Sequence, residues 1–419
     1  MIPETQAEHL NAETEGMQVF VARQPIFDGH KHLYGYELLF RDGMTNAFPD
    51  IDGETATSRL LANSFFSIGI DRLGSGKNIF INFPQELLLK RYPTLFPKDS
   101  LIVEILEDVE PEAPVVNACR EMGAEGYRIA LDDFLFRTEL QPLIDIADII
   151  KIDFRCTPLD EMGALLENVS GGSLKLLAEK IETYEEFETA RDLGFVYFQG
   201  YFFSKPEIVQ SRDIAPSKIN LIQIMAEVNK PDVSFEELEK LITRDVSMSY
   251  KLLRYINSAY FRRVQEIASI RHAIVILGMQ EIQKFISLMA ATELAMDKPT
   301  ELIRTSIIRA RFLELMGASL GSAETKSELF LLGLFSLIDA MLDNRMDRIM
   351  KNLPLPAKIK AALTEGRGEL TGFLHLVVGY ESGDWNACSL WASRTGIEEK
   401  KLPALYLEAV QWTQAFLGK

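Results

Sequence analysis

The chain has 419 residues, of which 47% are hydrophobic and 25% are charged, a composition typical of folded globular proteins rather than disordered ones. This length exceeds what one ordinary hydrophobic core organises, so two domains are expected. The formal net charge of −17 excludes non-specific nucleic-acid binding by the surface as a whole, and an anionic ligand would need a local basic or metal-containing site.

The sequence predicts a protein of the cytoplasm. Three cysteines (Cys119, Cys156 and Cys388) are few, odd in number and without C-x-x-C spacing. This pattern fits a reducing compartment and indicates neither a disulfide framework nor a zinc site. The acidic first residues differ from a secretory signal, and no apolar run approaches the roughly 20 residues that span a bilayer. We therefore expect no membrane segment.

The first half predicts an α/β domain. Residues 1–17 are polar and acidic and predict a loose tail. From residue 18 to about 212, short apolar runs alternate with helical patterns, and helices are predicted at 57–68, 111–122 and 184–193. Repeated strand–helix alternation predicts parallel strands, and seven or eight units in this length would form a compact TIM-like (β/α) barrel.

The second half, residues 213–419, predicts an all-α domain. Amphipathic helical stretches are predicted at 218–229, 235–243, 247–257 and 272–288. Ser234 followed by Glu236 and Glu237 is an N-cap signature. Pro216 and Ser217 mark a short linker, so the domain boundary is expected at about 213–217.

Seven apolar runs in the first half end on a polar side chain. Those polar residues are Glu37, Asn82, Glu104, Asp132 with Asp133, Lys151, Glu179 and Gln199. Buried strands tolerate charge poorly, and the carboxyl ends of barrel strands converge on one mouth, so we expect these side chains to lie together. A mostly acidic set at that mouth predicts a metal site.

The residue types favour a hard cation such as Mg²⁺, because carboxylate and amide oxygens are its preferred ligands. Asp133 and Asp153 could hold a second metal, and paired metals clamp the attacking and leaving oxygens of a phosphodiester. Lys151 could stabilise developing negative charge or orient the nucleophile, while Glu179 could bind metal or accept a proton from water. The alternative for each single residue is a helix cap or a surface ion pair, and Asn82 could cap a helix that starts after it.

Taken together, the strings around these residues resemble the EAL domain, the cyclic di-GMP phosphodiesterase family. They run in order from residue 19 to 206: QPI at 24–26, ELLFR at 37–41 for EALLR, Asn82, EILE at 104–107 for ExTE, LDDF at 131–134 for DDFG, KID at 151–153, AEKIET at 178–183 for AEGVET, and QGYFFSKP at 199–206.

The resemblance implies hydrolysis of cyclic di-GMP to linear pGpG. It also implies a role for each matched residue. Glu37, Asn82, Glu104 and Asp132 would ligate a first Mg²⁺ or Mn²⁺, with Asp133 and, through water, Asp153 serving a second; Lys151 and Glu179 would activate or position the water; Gln24, Arg41 and Gln199 would contact the dinucleotide; and Glu107 would brace the loop after the Asp pair.

One departure from the family pattern follows Phe134. The family has a GTGYSSL-like loop there, whereas this chain has LFRTEL at 135–140, without either glycine and about two residues shorter. Glycine permits backbone angles that leucine resists. Two hypotheses therefore stand: a metal-dependent phosphodiesterase of weak or conditional activity, and a degenerate EAL domain that binds cyclic di-GMP or a protein without turnover.

The second half resembles an HDOD domain, a relative of the HD phosphohydrolases. The supporting strings are LITRD at 241–245, LLRYINSAYF at 252–261 and IRHAIVILG at 270–278. An HD hydrolase needs several His and Asp ligands, but this half has only His272 and His375, and Ser336-Leu337 stands where the HD dipeptide would fall. We expect a non-catalytic regulatory domain that binds a protein partner, with His272 packed or capping, and we consider that it docks against the barrel.

Overall fold

A computed structural model describes residues 20–41, 73–134, 137–158, 162–163, 165–166, 174–205, 216–230, 232–244, 246–257, 267, 269–321, 323–353 and 355–417. The predicted tail, the predicted helix at 57–68 and the predicted linker up to residue 215 lie outside these ranges.

The first half forms a closed eight-stranded barrel in which each strand pairs with its neighbours in chain order. The strands are β1 Phe20–Asp28, β2 Leu33–Arg41, β3 Asn78–Phe83, β4 Leu101–Ile105, β5 Arg128–Leu131, β6 Ile149–Asp153, β7 Lys175–Glu179 and β8 Tyr197–Gln199. The predicted TIM-like barrel is confirmed.

The expectation of parallel strands is confirmed for β2 to β8 and is wrong for β1. Strand β1 runs antiparallel to both β2 and β8. The reason is the connection, because only four residues separate β1 from β2. Antiparallel strands can be joined by so short a turn, whereas parallel strands need a crossover of a dozen or more residues.

Helices in the described part of the first half lie between consecutive strands. They are α1 Gln85–Leu89, α2 Ala113–Ala124, α3 Gln141–Ile144 and α4 Tyr184–Asp192. Helix α4 begins at a capping box, in which Thr183 Oγ1 accepts from the Glu186 N–H and the Glu186 carboxylate accepts from the Thr183 N–H. The helices predicted at 111–122 and 184–193 are therefore found within two residues of their predicted ends.

The second half is helical, as predicted. Its described helices are α5 Pro216–Val228, α6 Phe235–Thr243, α7 Val246–Ile256, α8 Ile270–Leu294, α9 Thr300–Ser319, α10 Ala323–Phe335, α11 Ile338–Leu342, α12 Met346–Asn352, α13 Ala357–Glu365, α14 Thr371–Ser382, α15 Trp385–Thr395 and α16 Leu402–Leu417. The capping box of Ser234 and Glu237 starts α6 where the sequence predicts it.

Helix α8 is interrupted at Gly278, whose φ of 78° is outside the helical range and is freely available to glycine. By length and composition α8 could cross a membrane, but 56% of its most apolar 18-residue stretch is buried inside the protein. Such burial is typical of a core helix.

The helical half packs against β1 and β2 of the barrel. The Tyr36 hydroxyl donates to Glu301 Oε1 of α9 at 2.8 Å, and the Tyr380 hydroxyl of α14 donates to the Val21 carbonyl at 3.2 Å. Both tyrosines are fully buried, and the surrounding apolar side chains of the two halves form one continuous hydrophobic core. The helical half therefore docks against the barrel, as considered in the sequence analysis.

Candidate active site

An apolar plug fills the lower barrel and sets the position of the polar residues above it. Its members are Ile26, Phe80, Ile102, Ala130, Ile149, Leu177 and Tyr197. Side chains two residues apart in a strand share a face. Each parallel strand that contributes to the plug therefore places a predicted site residue two positions later, such as Asn82 after Phe80. Antiparallel β1 instead places Gln24 two positions before Ile26.

The sequence-predicted residues meet at the mouth, but not all of them at strand ends. Asp132 directly follows β5, whereas Asn82, Glu104 and Lys151 lie within the last residues of their strands. Glu37 lies midway along β2, which continues four residues further because it stays paired with β1.

The Lys151 ammonium lies at the centre of the mouth among four carboxylates. Its Nζ is 2.6 Å from Asp132 Oδ1, 2.8 Å from Glu104 Oε1 and 2.9 Å from Glu179 Oε1, and Glu37 Oε2 lies at 3.5 Å. Lys151 and Glu104 have no exposed side-chain surface. When all five groups are ionised, the cluster carries an excess of negative charge that a single ammonium does not balance.

The pKa values of the cluster show the same imbalance. Burial raises the pKa of Glu104 well above its usual range, and repulsion from Glu37 and Asp132 adds to this against the attraction of Lys151. The pKa of Glu179 is raised for the same leading reason. Burial opposes the charge of Lys151, but the surrounding carboxylates outweigh it, and the Lys151 pKa is raised. An additional cation would stabilise the ionised carboxylates.

Two amides brace Glu37. Asn82 Nδ2 donates to Glu37 Oε1 at 3.0 Å, and Gln199 Nε2 donates to Glu37 Oε2 at 2.6 Å and to Gln24 Oε1 at 2.9 Å. With their NH₂ groups used in this way, the buried oxygens Asn82 Oδ1 and Gln199 Oε1 have no hydrogen-bond partner among the described residues, and the same holds for Glu104 Oε2 and Glu179 Oε2.

These oxygens decide whether the mouth suits the divalent cation that the resemblance implies. Buried oxygen acceptors without donors are costly unless a cation or donor satisfies them. The Asn82 amide and the Glu104 carboxylate are hard oxygen ligands of the kind that Mg²⁺ and Mn²⁺ bind. Among the described residues, no group of three His, Cys, Asp or Glu side chains has the arrangement of a metal site. The carboxylates close around the Lys151 ammonium instead. The chemistry of the donor set therefore fits such a metal ion.

A second cluster joins Asp133, Asp153 and Lys180. Lys180 Nζ lies 2.5 Å from Asp153 Oδ2 and 3.4 Å from Asp133 Oδ1. The other oxygen of Asp153 accepts from the backbone N–H groups of Arg155 and Cys156, at 2.8 and 3.1 Å. Lys180 is a site residue that the sequence analysis did not predict. It could have been found from the string AEKIET, which has lysine where the family string AEGVET has glycine.

The mouth opens into a depression of about 550 Å³. Glu37, Asp132, Asp133, Glu179 and Gln199 are among the residues that line it, whereas Lys151 and Glu104 lie beneath its floor. The helical half reaches the rim, because Ser382 at the end of α14 also lines the depression, and its carbonyl accepts a hydrogen bond from Gln24 Nε2 at 3.3 Å.

The predicted roles of Arg41 and Glu107 involve parts of the chain outside the described residues. Arg41 ends β2, and its side chain lies outside the described part of the protein. Glu107 lines the depression and is exposed. Since Leu135 and Phe136 of the following loop are also outside the described residues, the bracing role of Glu107 stays a prediction.

The helical half places its two histidines apart. His272 is exposed rather than packed, and its backbone N–H donates to the α8 cap Ser269. His375 stacks on Trp391, with ring centroids 4.8 Å apart. Beside Ser336, where an HD dipeptide would fall, the guanidinium of buried Arg309 donates to both carboxylate oxygens of Glu381.

Comparisons with known proteins agree with this architecture. A family model for the EAL domain matches residues 63–206, and one for the HDOD domain matches residues 216–386. The chain is 37% identical over 398 residues to the cyclic di-GMP phosphodiesterase CdgJ of Vibrio cholerae, covering 94% of this chain and 92% of that protein. It is 36% identical over 404 residues to the protein YuxH of Bacillus subtilis, covering 94% and 98%.

Among solved structures, the chain is similar to a standalone EAL protein from Vibrio cholerae O395 in its c-di-GMP-bound form. The identity is 23% and the TM-score 0.35, with 45% of this chain and 92% of that chain covered. The sequence identity to CdgJ and YuxH exceeds one third and extends along nearly the whole length of both proteins, which shows the family of this chain. The chain belongs to the family of cyclic di-GMP signalling proteins that join an EAL domain to an HDOD domain.

Proposed function

We propose that this protein is a phosphodiesterase that hydrolyses cyclic di-GMP to pGpG with Mg²⁺ or Mn²⁺, and that its HDOD half regulates it. The observation that carries the proposal is a set of buried oxygens without hydrogen-bond partners among the described residues: Asn82 Oδ1, Glu104 Oε2 and Glu179 Oε2. They lie at an open barrel mouth, beside a cluster in which four carboxylates surround one ammonium. A folded protein keeps such a costly arrangement where a ligand relieves it.

The protein residues divide the work by position. Glu37, Asn82, Glu104 and Asp132 would hold the first cation, with Asp133 and Asp153 assigned to a second. When bound, a divalent cation polarises the phosphodiester and lowers the pKa of a bound water.

Lys151 lies below the floor, and so we assign it the task of fixing the Asp132, Glu104 and Glu179 carboxylates rather than contacting substrate. Glu179, which reaches the depression, is the candidate to take a proton from water.

Recognition of the dinucleotide is assigned to Gln24, Gln199 and Arg41. Gln24 links the two halves, because it donates to the Ser382 carbonyl of the helical half and accepts from Gln199, which in turn donates to Glu37. This chain of three hydrogen bonds supports regulation by the HDOD half, since a movement of α14 would reach a proposed metal ligand. A protein partner bound to that half, in the cytoplasm, would supply the signal.

Binding without turnover is the second candidate. It is favoured by the Lys180 ammonium, which already occupies the two carboxylates assigned to a second metal. The short loop at 135–140 favours it as well, because it lacks the glycines of the family loop. In that case the protein would be a cyclic di-GMP receptor or an interaction module.

One assay separates the candidates. The purified protein is incubated with cyclic di-GMP and Mg²⁺ or Mn²⁺, and product is followed by chromatography, with binding measured in parallel by calorimetry. Production of pGpG that Glu37→Ala abolishes, and that Glu369→Ala at an exposed site of the helical half leaves unchanged, establishes the enzyme. Tight binding with no product supports the receptor. Failure to bind in either metal leaves a protein-interaction scaffold.

A further inference from the structure

Lys180 occupies an unusual backbone position. It directly follows β7, and its φ of 58° lies in the left-handed region, which disfavours residues with a side-chain Cβ. Glycine, which stands at this place in the family string AEGVET, would adopt that conformation without strain. Lysine is therefore kept here at a conformational cost, which indicates that its side chain contributes something at the mouth.

The side chain delivers a positive charge to a defined point between two carboxylates. Its ammonium contacts Asp153 Oδ2 and Asp133 Oδ1, which come from the ends of two different strands. Asp153 is a nearly buried acceptor, with 8% of its side chain exposed. Its remaining oxygen is held by two backbone N–H groups, so both oxygens of Asp153 have donors. A cation approaching Asp153 would have to displace the ammonium.

An ordinary surface ion pair is the simplest alternative, and it explains less. Lys180 and Asp133 are about half exposed, and exposed pairs contribute little to stability. Stability alone therefore gives no reason to accept a strained backbone at residue 180. A charge fixed between Asp133 and Asp153 does give one, because it supplies the field of a cation without a cation having to bind.

We propose that the Lys180 ammonium takes the place of the second divalent cation, so that the mouth binds one metal ion only, at Glu37, Asn82, Glu104 and Asp132. This inference rests on the proposed function for the first metal site, and it replaces the assignment of Asp133 and Asp153 to a second cation. It assigns Lys180 as a positioning residue that holds Asp133 and Asp153. It also reduces the charge at the second position from that of a divalent ion to a single unit, which lowers the demand for metal and weakens activation of the attacking water.

The test counts metal ions on the full-length protein with Mn²⁺ alone, using calorimetry for stoichiometry and electron paramagnetic resonance for coupling between neighbouring ions. The wild type is expected to bind one Mn²⁺ per chain with an uncoupled spectrum. Lys180→Gly, which suits the backbone, and Lys180→Met, which keeps the length of the side chain, should each bind two, with the spectrum of a coupled pair about 3.5–4 Å apart.

Two matched variants complete the design. Lys205→Met removes another lysine, one that pairs with Glu182 outside this cluster, and should still bind one ion. Adding Asp153→Asn to Lys180→Met should return the count from two to one. Circular dichroism confirms that each variant is folded.

The outcomes separate this inference from the proposed function. Two ions in the wild type, or one ion in both Lys180 variants, overturn the inference and leave the proposed function standing. No bound ion in any variant overturns the metal dependence itself and the inference with it.

Discussion

Replacement of Lys151 by methionine should destabilise the barrel strongly when no metal is present. The wild-type ammonium is fully buried, with three carboxylates within 2.9 Å. A unit charge pair at such a distance attracts by about 6 kcal/mol at an effective dielectric constant of about 20, from which the cost of desolvating the charges must be subtracted. Removing one partner of a buried ion pair costs about 3–5 kcal/mol, because the remaining charges are left uncompensated.

The assay is urea unfolding in EDTA at neutral pH. All three tryptophans, Trp385, Trp391 and Trp412, lie in the helical half, so tryptophan fluorescence follows that half while far-UV circular dichroism follows both. We expect Lys151→Met to lose about 3–5 kcal/mol of stability in the circular dichroism transition. Mg²⁺ should restore part of it, since saturation at 100 times Kd adds about 2.7 kcal/mol.

The matched control is Lys175→Met, which removes the exposed first residue of the neighbouring strand β7, a lysine whose ammonium donates to the Tyr197 hydroxyl at 3.1 Å. A surface change of this kind should cost less than about 1 kcal/mol. If Lys151→Met unfolded at the same urea concentration as this control in EDTA, the ammonium would not be what holds the four carboxylates together, and the account of the mouth would be wrong.

Three further outcomes are expected. Arg309→Met, which leaves buried Glu381 without its guanidinium, should cost about 3–5 kcal/mol of stability, and the tryptophan transition should report it. Burial opposes the charge of Glu314, but the neighbouring Lys284 and Arg311 cations outweigh it, and the Glu314 pKa is lowered in the folded state. Its stabilisation is therefore present above the unfolded value of about 4.3 and is lost as pH falls further, so the stability gap between wild type and Glu314→Gln should be full at pH 7 and shrink below about pH 4. Gly383→Ala should destabilise the protein by about 1 kcal/mol, since φ is 70° there and a Cβ would lie 2.9 Å from the terminal methyl of Leu39; a urea midpoint identical to wild type would contradict this.

Much of the architecture is readable locally. The period of two in each strand predicts that a polar residue shares the face of the apolar residue two positions away, and this places Asn82 above Phe80 and Glu104 above Ile102. The start of α6 is written in Ser234 and Glu237, because a capping box is formed within four consecutive residues. Such features depend only on near neighbours, so the sequence determines them.

Other features depend on how distant segments are placed. The antiparallel direction of β1 follows from a four-residue connection whose length is clear only once the strand ends are known. The contact of Ser382 with Gln24 joins residues 358 positions apart, and no local period encodes it.

The same holds for the charges at the mouth. The pattern of the strands predicts which carboxylates and amides gather at the end of the barrel, and that Lys151 joins them. Two further features come from the three-dimensional fold: Lys151 lies beneath the floor, within 2.9 Å of three carboxylates, and Lys180 bridges Asp133 and Asp153. A long flexible lysine side chain can reach several carboxylates, and its partner is set by burial and by the packing of strands that are far apart in the chain.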